Sequence, residues 1–96
     1  MATASDLFDW DEANIAHIAE HGVLPSEAEE VVANNPLDLD YPIRNGEKRL
    51  RQVGETSAGR ILTLITTARR GRTRVITAYP ASRLLRATYL DYQEVR

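Results

Sequence analysis

Apolar positions fall at helical spacing in two early segments and in strand-like runs further on. The first segment follows a short apolar-aromatic stretch, Leu7-Phe8-Asp9-Trp10, which reads as a brief strand or an anchor laid on the core. Asp11 is placed to cap a helix over 12–20, with Ile15, Ile18 and Ala19 on one face and Gly22 as its stop. A second helix is predicted from Ser26, whose spacing to Glu29 is that of a capping box, with Ala28, Val31 and Val32 as the buried side. Asn34-Asn35-Pro36 ends it.

From there the rhythm is that of strands. Residues 37–41 alternate loosely, and Pro42 and Asn45-Gly46 mark a loop. Three further strands are expected at 49–55, 60–68 and 74–79, separated by Ser57-Ala58-Gly59 and Arg70-Gly71. The run 61–67 is rich in β-branched residues on both faces and belongs at the centre of a sheet. Pro80 closes the last strand. Ser82 then caps a helix to about residue 93, with Leu85, Tyr89 and Tyr92 on one stripe. The expected class is α+β: two N-terminal helices, an antiparallel sheet of three to five strands with helices on one side, and a C-terminal helix. Ninety-six residues make one domain, 1–96.

Composition narrows the function more than the fold. With 43% hydrophobic and 27% charged residues, the chain is neither a disordered tail nor a membrane protein. The first residues lack the basic and apolar regions of a secretion signal, so a cytoplasmic location is expected. The absence of cysteine excludes disulfides and thiolate metal sites. The net charge of −2 hides an asymmetry. All ten acidic residues of the first 43 positions precede any Lys or Arg, and all twelve basic residues lie from Arg44 onward, eleven of them Arg. Arg grips phosphate with a two-pronged fork, so an anionic partner is expected, nucleic acid first.

His17-Ile18-Ala19-Glu20-His21 spells the inverted zinc-protease motif, but a third ligand is wanting, since the chain has no other His. The basic half offers a different chemistry. Metal-free cleavage of a phosphodiester needs a base for the 2′-hydroxyl, cations on the phosphorane and an acid for the leaving oxygen. The arginines at 49, 51, 69, 70, 72, 74, 83 and 86 supply cations, and Glu47, Glu55, His17 or His21 the proton transfers. Trp10 and the tyrosines at 79, 89 and 92 are candidates for stacking on bases or for the core.

The spacing of Phe8-Asp9-Trp10-Asp11, Asn14, His17, His21-Gly22-Val23 and 27–31 resembles the N-terminal half of the BrnT-type toxins. Gly46-Glu47-Lys48-Arg49, Val53-Gly54-Glu55-Thr56, Gly59-Arg60-Ile61-Leu62, 74–78, Ala81-Ser82-Arg83 and Arg86 to Tyr89 extend the likeness over nearly the whole chain. The resemblance implies a RelE-like fold. It also implies a metal-independent ribonuclease without cofactor, acting on RNA in the bacterial cytoplasm as the toxin of a type II toxin–antitoxin pair. Its partner would be a BrnA-type ribbon-helix-helix antitoxin, and DNA would be met only through the complex. Carried over by position, the catalytic set falls on Glu47, Arg49, Arg60, Arg74 and His21. The basic half and its aromatics, read by themselves, make Arg51, Arg72, Tyr79, Arg83 and Arg86 the candidates for RNA binding, and no residue is assigned to metal. The chain departs from the pattern at Glu20, where a basic residue is common, at Ala78-Tyr79-Pro80, where the last strand often ends in Ala-Arg so that Tyr79 takes the place of an Arg, and at Leu85, a frequent Glu. A second class of function, a non-catalytic module binding protein or nucleic acid through the same basic sheet, is compatible with those departures.

Overall fold

The structure is a computed structural model and describes residues 7–95; the segment read for a secretion signal lies outside them except for Leu7. Helices α1 (Glu12–Ala19) and α2 (Pro25–Ala33) are followed by β1 (Leu37–Asp40), β2 (Ile43–Arg44), β3 (Glu47–Lys48), β4 (Leu50–Glu55), β5 (Ile61–Arg69) and β6 (Arg72–Pro80), and α3 (Arg83–Glu94) ends the chain. The class is the expected α+β. Strands β1, β4, β5 and β6 form one antiparallel sheet in the order β1-β4-β5-β6, so the β-branched strand is indeed internal. Among the described residues no helix is long and apolar enough to cross a membrane.

Strand alternation divides the core in two. On one face Leu62, Leu64, Val75 and Ala78 meet Ile18 of α1, Val23, and Ala28 and Val31 of α2, with Phe8 closing the edge. On the other face Val53 and Ile61 meet Tyr89, flanked by Leu37, Leu39, Ala81, Leu85 and Tyr92. The helices therefore do not share one side of the sheet. A strand apolar on both faces must be covered twice, and α3 supplies the second layer.

Local departures from the expected elements have specific causes. Helix α1 buries Asn14 and Ile18, whereas Ile15 is 40% exposed. Asn14 displaces Ile15 from the interface because its amide is fully used. Its Oδ1 accepts from the Asp11 N–H at 2.8 Å, and its Nδ2 donates to the carbonyls of Asp9 and Val75 at 3.0 and 3.2 Å. Helix α2 starts at Pro25 rather than after Ser26, because proline suits the first helical position. Glu27, not Glu29, then reaches back to the Leu24 N–H at 3.0 Å. Glu29 is left to accept from Trp10 Nε1 at 2.7 Å. The loop at 42–49 is in fact the hairpin β2–β3, with Asn45 and Gly46 at φ 52° and 78°. Two left-handed residues in succession are the signature of a type I′ turn, which matches the strand twist. Arg70-Gly71 turns β5 into β6 the same way, at φ 54° and 76°.

The α1–β6 seam as candidate functional site

Helix α1 lies along β6, the edge strand of the sheet, and the two run in the same direction. The start of the helix meets Arg74 and its end meets Tyr79. Asp11 opens the helix and is bound by Arg74, at 3.0 Å from Nη1 to Oδ2. A small cleft of about 150 Å³ follows, lined by Ala13, Asn14, His17, Arg74 and Ile76. His17 Nε2 is 3.1 Å from Thr77 Oγ1. One helical turn on, the His21 ring meets the His17 ring edge-on at 5.4 Å between centroids, and the Tyr79 ring at 6.0 Å. Both imidazoles are exposed and Tyr79 is half-buried.

The tyrosine links this seam to the sheet. Tyr79 pairs with Thr63 on β5, and Arg51 pairs with Ile65, so both side chains stand on the face that α3 covers only in part. The Arg51 guanidinium donates to both oxygens of Asp40, at 2.9 and 3.1 Å. That carboxylate, with a smaller contribution from Tyr79, holds the Arg51 pKa above its ordinary value. A continuous polar ridge thus runs Asp40, Arg51, Tyr79, His21, His17 and Thr77. An accessible pair of imidazoles beside a phenol and a guanidinium can take a proton from one oxygen, deliver one to another, and hydrogen-bond an anion between them.

The residues picked from the sequence do not gather in one place. His21, Tyr79 and Arg51 belong to the ridge, and Arg74 to the start of the seam. Arg74 is largely engaged: it reaches the Asp9 carbonyl at 3.4 Å and carboxylates of Asp9 and Asp11 at 3.6 and 3.0 Å. It holds the Asp11 carboxyl below the usual carboxylate range, helped by the Asn14 N–H. Arg60 sits at the other end of the sheet, donating to Gly22 O at 3.1 Å and Glu27 at 2.7 Å. The Leu24 N–H and then Arg60 depress the Glu27 pKa. Arg60 precedes Ile61 whereas Arg74 pairs with Thr67, which separates them by ~20 Å of strand. One phosphate cannot touch both.

Glu47 and Arg49 form their own ion pair at 2.9 Å, beside the β2–β3 hairpin. Arg72 is exposed, in register with Arg69 at the β5–β6 turn, and Arg83 and Arg86 are exposed on α3. The sequence offers His17 only as one of several options for proton transfer, beside His21. Its i,i+4 spacing to His21 was the available signal, but only the packing of α1 on β6 brings Thr77 and Tyr79 to it.

No individually curated protein matches the chain. A family profile does: that of the ribonuclease toxin BrnT, of type II toxin–antitoxin systems, which covers residues 10–84 and so contains the α1–β6 seam and the whole sheet. By that match over most of its length, the chain belongs to the BrnT family of type II toxin–antitoxin toxins.

Proposed function

We propose that this toxin cleaves RNA without a metal cofactor, through the α1–β6 seam, and that a BrnA-type ribbon-helix-helix antitoxin neutralises it in the cytoplasm. The observation that carries the reading is the approach of His17, His21 and Tyr79 to one another on an open surface, with Arg51 against Tyr79. Among the described residues, no three His, Asp or Glu side chains converge as a metal site would need.

One imidazole accepts the proton of a ribose 2′-hydroxyl while that oxygen attacks the adjacent phosphorus. The other protonates the departing 5′-oxygen. The P–O5′ bond breaks as the P–O2′ bond forms, leaving a 2′,3′-cyclic phosphate and a 5′-hydroxyl. In this scheme the Tyr79 hydroxyl and the Arg51 Nη1, the end of the guanidinium that Asp40 does not take, hydrogen-bond the phosphorane, where developing charge is largest. Arg74 acts as a positioning residue in this scheme, since it fixes the start of α1 and thereby the height of His17 along β6. Arg83 and Arg86, exposed on α3, extend the track for the RNA backbone. DNA is reached only through the antitoxin.

Single-turnover cleavage of labelled RNA, free and on ribosomes, tests the assignment. His17→Ala and His21→Ala should each lose roughly 10²–10⁴ in rate, the range for a positioned proton-transfer group. Tyr79→Phe should lose less, and EDTA should change nothing. Absence of cleavage by the unaltered protein on either substrate would leave a non-catalytic binding module. Loss in EDTA with recovery on zinc would instead make His17 and His21 metal ligands.

A further inference from the structure

A second depression lies away from the seam. It is an open trough of about 490 Å³, between the β2–β3 hairpin and the end of β5 and β6. Its walls are Leu50, Thr66, Ala68 and Thr73, with Tyr41, Lys48 and the Glu47–Arg49 pair at its lip. Thr67 ties the hairpin to the sheet here, its hydroxyl donating to Lys48 O at 2.9 Å. The walls are mostly apolar, and the exposed side chains of Ile43 and Tyr41 continue the apolar surface on the hairpin, at 69% and 54% exposure.

The surroundings of the trough are strongly basic. Lys48 stands over the Tyr41 ring at 5.1 Å, and Arg44 pairs with Glu47 at the next position of the hairpin. The β5–β6 turn adds Arg69, Arg70 and Arg72 just beyond Ala68 and Thr73. Among the described residues, Glu47 is committed to Arg49, Asp9 to Arg69 and Arg74, and Asp38 accepts from the Tyr41 hydroxyl at 3.3 Å; the cations around the trough outnumber these acids, so an excess of positive charge remains.

We propose that this trough is a docking site for an acidic, amphipathic peptide segment of the antitoxin. An apolar side chain of that segment fills the space over Leu50 and Ala68, and its carboxylates meet Lys48, Arg44 and the turn arginines. The identity of the partner rests on the type II toxin reading; the chemistry of the segment rests on the trough. A nucleobase is the poorer occupant. The aromatic face a base would stack on belongs to Tyr41, and the Lys48 ammonium already lies over that ring. An apolar side chain needs no such face, and charge complementarity then sets register and encounter rate.

The location has a consequence for neutralisation. Thr73 in the trough and Tyr79 in the seam are six residues apart on one extended strand, about 20 Å. The docked segment therefore anchors the antitoxin without occupying the imidazole pair, which a different part of the partner must cover. Two variants probe the trough alone. Ala68→Trp fills it from an exposed position, and Lys48→Glu reverses its lip.

The experiment measures affinity for the purified cognate antitoxin, and for labelled 15-residue peptides tiling it, beside single-turnover RNA cleavage. Ala68→Trp should weaken antitoxin binding by at least about tenfold, as loss of a buried anchor does at other interfaces. Lys48→Glu should weaken it severalfold at low salt and less at high salt. Both should cleave RNA as the unaltered protein does, and the peptide that binds should be acidic with apolar residues interspersed. Two results overturn the proposal: antitoxin affinity unchanged in both variants, or RNA affinity lost in Lys48→Glu with antitoxin affinity kept, which gives the trough to RNA. An unaltered protein that fails to bind the antitoxin overturns it as well. If RNA is not cut but the antitoxin binds through the trough, the ribonuclease reading falls and the docking site stands.

Discussion

Gly54→Ala is the substitution whose cost the structure defines most sharply. Gly54 is buried in β4, opposite Leu62, with a φ outside the left-handed region, so the backbone does not require glycine there. The space does. A Cβ at this position would stand 2.9 Å from Val31 Cγ1, 3.0 Å from Pro36 Cβ and 3.3 Å from Pro36 Cα. Val31 is fully buried and Pro36 is a rigid ring that begins the turn into β1, so neither yields as a flexible side-chain end would. Overpacking of this kind costs ~1–3 kcal/mol. Restricting the unfolded chain returns roughly 0.4–1 kcal/mol of it, leaving a net loss of about 1–2 kcal/mol. With an unfolding entropy near 2.1 cal/mol/K per residue, 1 kcal/mol corresponds to ~5 °C in a domain this size.

The expectation is a melting temperature about 5–10 °C lower, measured by calorimetry at neutral pH. The urea midpoint should fall with an unchanged slope, since the exposed surface of the unfolded chain is the same. Ala58→Ser, in the exposed turn before β5, is the control and should change little. A Gly54→Ala protein as stable as the parent, or more so, would show that α2 does not approach β4 at van der Waals distance. It would take with it the placement of Trp10 against Glu29 and of Glu27 against Arg60, which depends on that approach.

Two further outcomes follow from the packing and the ion pairs. Thr63 is fully buried between Val53 and Tyr79, and its hydroxyl has no hydrogen-bond partner among the described residues; Thr63→Val should therefore raise stability by about 1 kcal/mol, and a lower melting temperature would mean the hydroxyl is satisfied in solution. Asp11 and Glu27 both titrate below their ordinary values of 3.8 and 4.5, so their stabilising contribution is complete above those values and is lost as pH falls through the depressed ones. Melting temperature should hold from pH 7 to about 5 and then decline, and a Glu27→Gln protein should start lower at neutral pH and decline less steeply; parallel profiles would contradict the assignment.

Much of the fold was legible because the chain states it with local signals. Asp11 before a helical stretch, Ser82 before another, the β-branched run of β5 and the Arg70-Gly71 turn each act over a few residues, and each appears where expected. The misreadings share a different origin. Ser26 and Glu29 have capping-box spacing, yet Pro25 starts the helix earlier and Trp10, nineteen residues away from Glu29, recruits that carboxylate. Asn14 looks polar, but tertiary hydrogen bonds to Val75 and Asp9 repay its burial and rotate α1 so that Ile15 faces out. Asn45-Gly46 was a hairpin signal with almost no flanking hydrophobic alternation, since all four residues of β2 and β3 are exposed.

The site was less legible because charge does not announce its partner. Arg51, Arg60 and Arg74 are indistinguishable as letters in a basic half, and each could reach phosphate. Folding separates them by what the acidic half brings. Glu27 claims Arg60 to lock the α1–α2 connection onto the sheet. Asp9 and Asp11 claim Arg74 to hold the N-terminal segment against β6. Asp40 claims Arg51 at the open face, but there Tyr79 and the two imidazoles lie alongside and solvent has access. Part of the charge asymmetry between the two halves of the chain thus serves to dock one half on the other, through Asp9, Asp11, Glu27 and Asp40. Of the cations for which no ion pair exists among the described residues, Arg44, Lys48, Arg70 and Arg72 lie at the hairpin end and Arg83 and Arg86 on α3. If the seam and the trough act as proposed, the neutralising contact and the imidazole pair lie on separate surfaces, so that each can be mutated without the other.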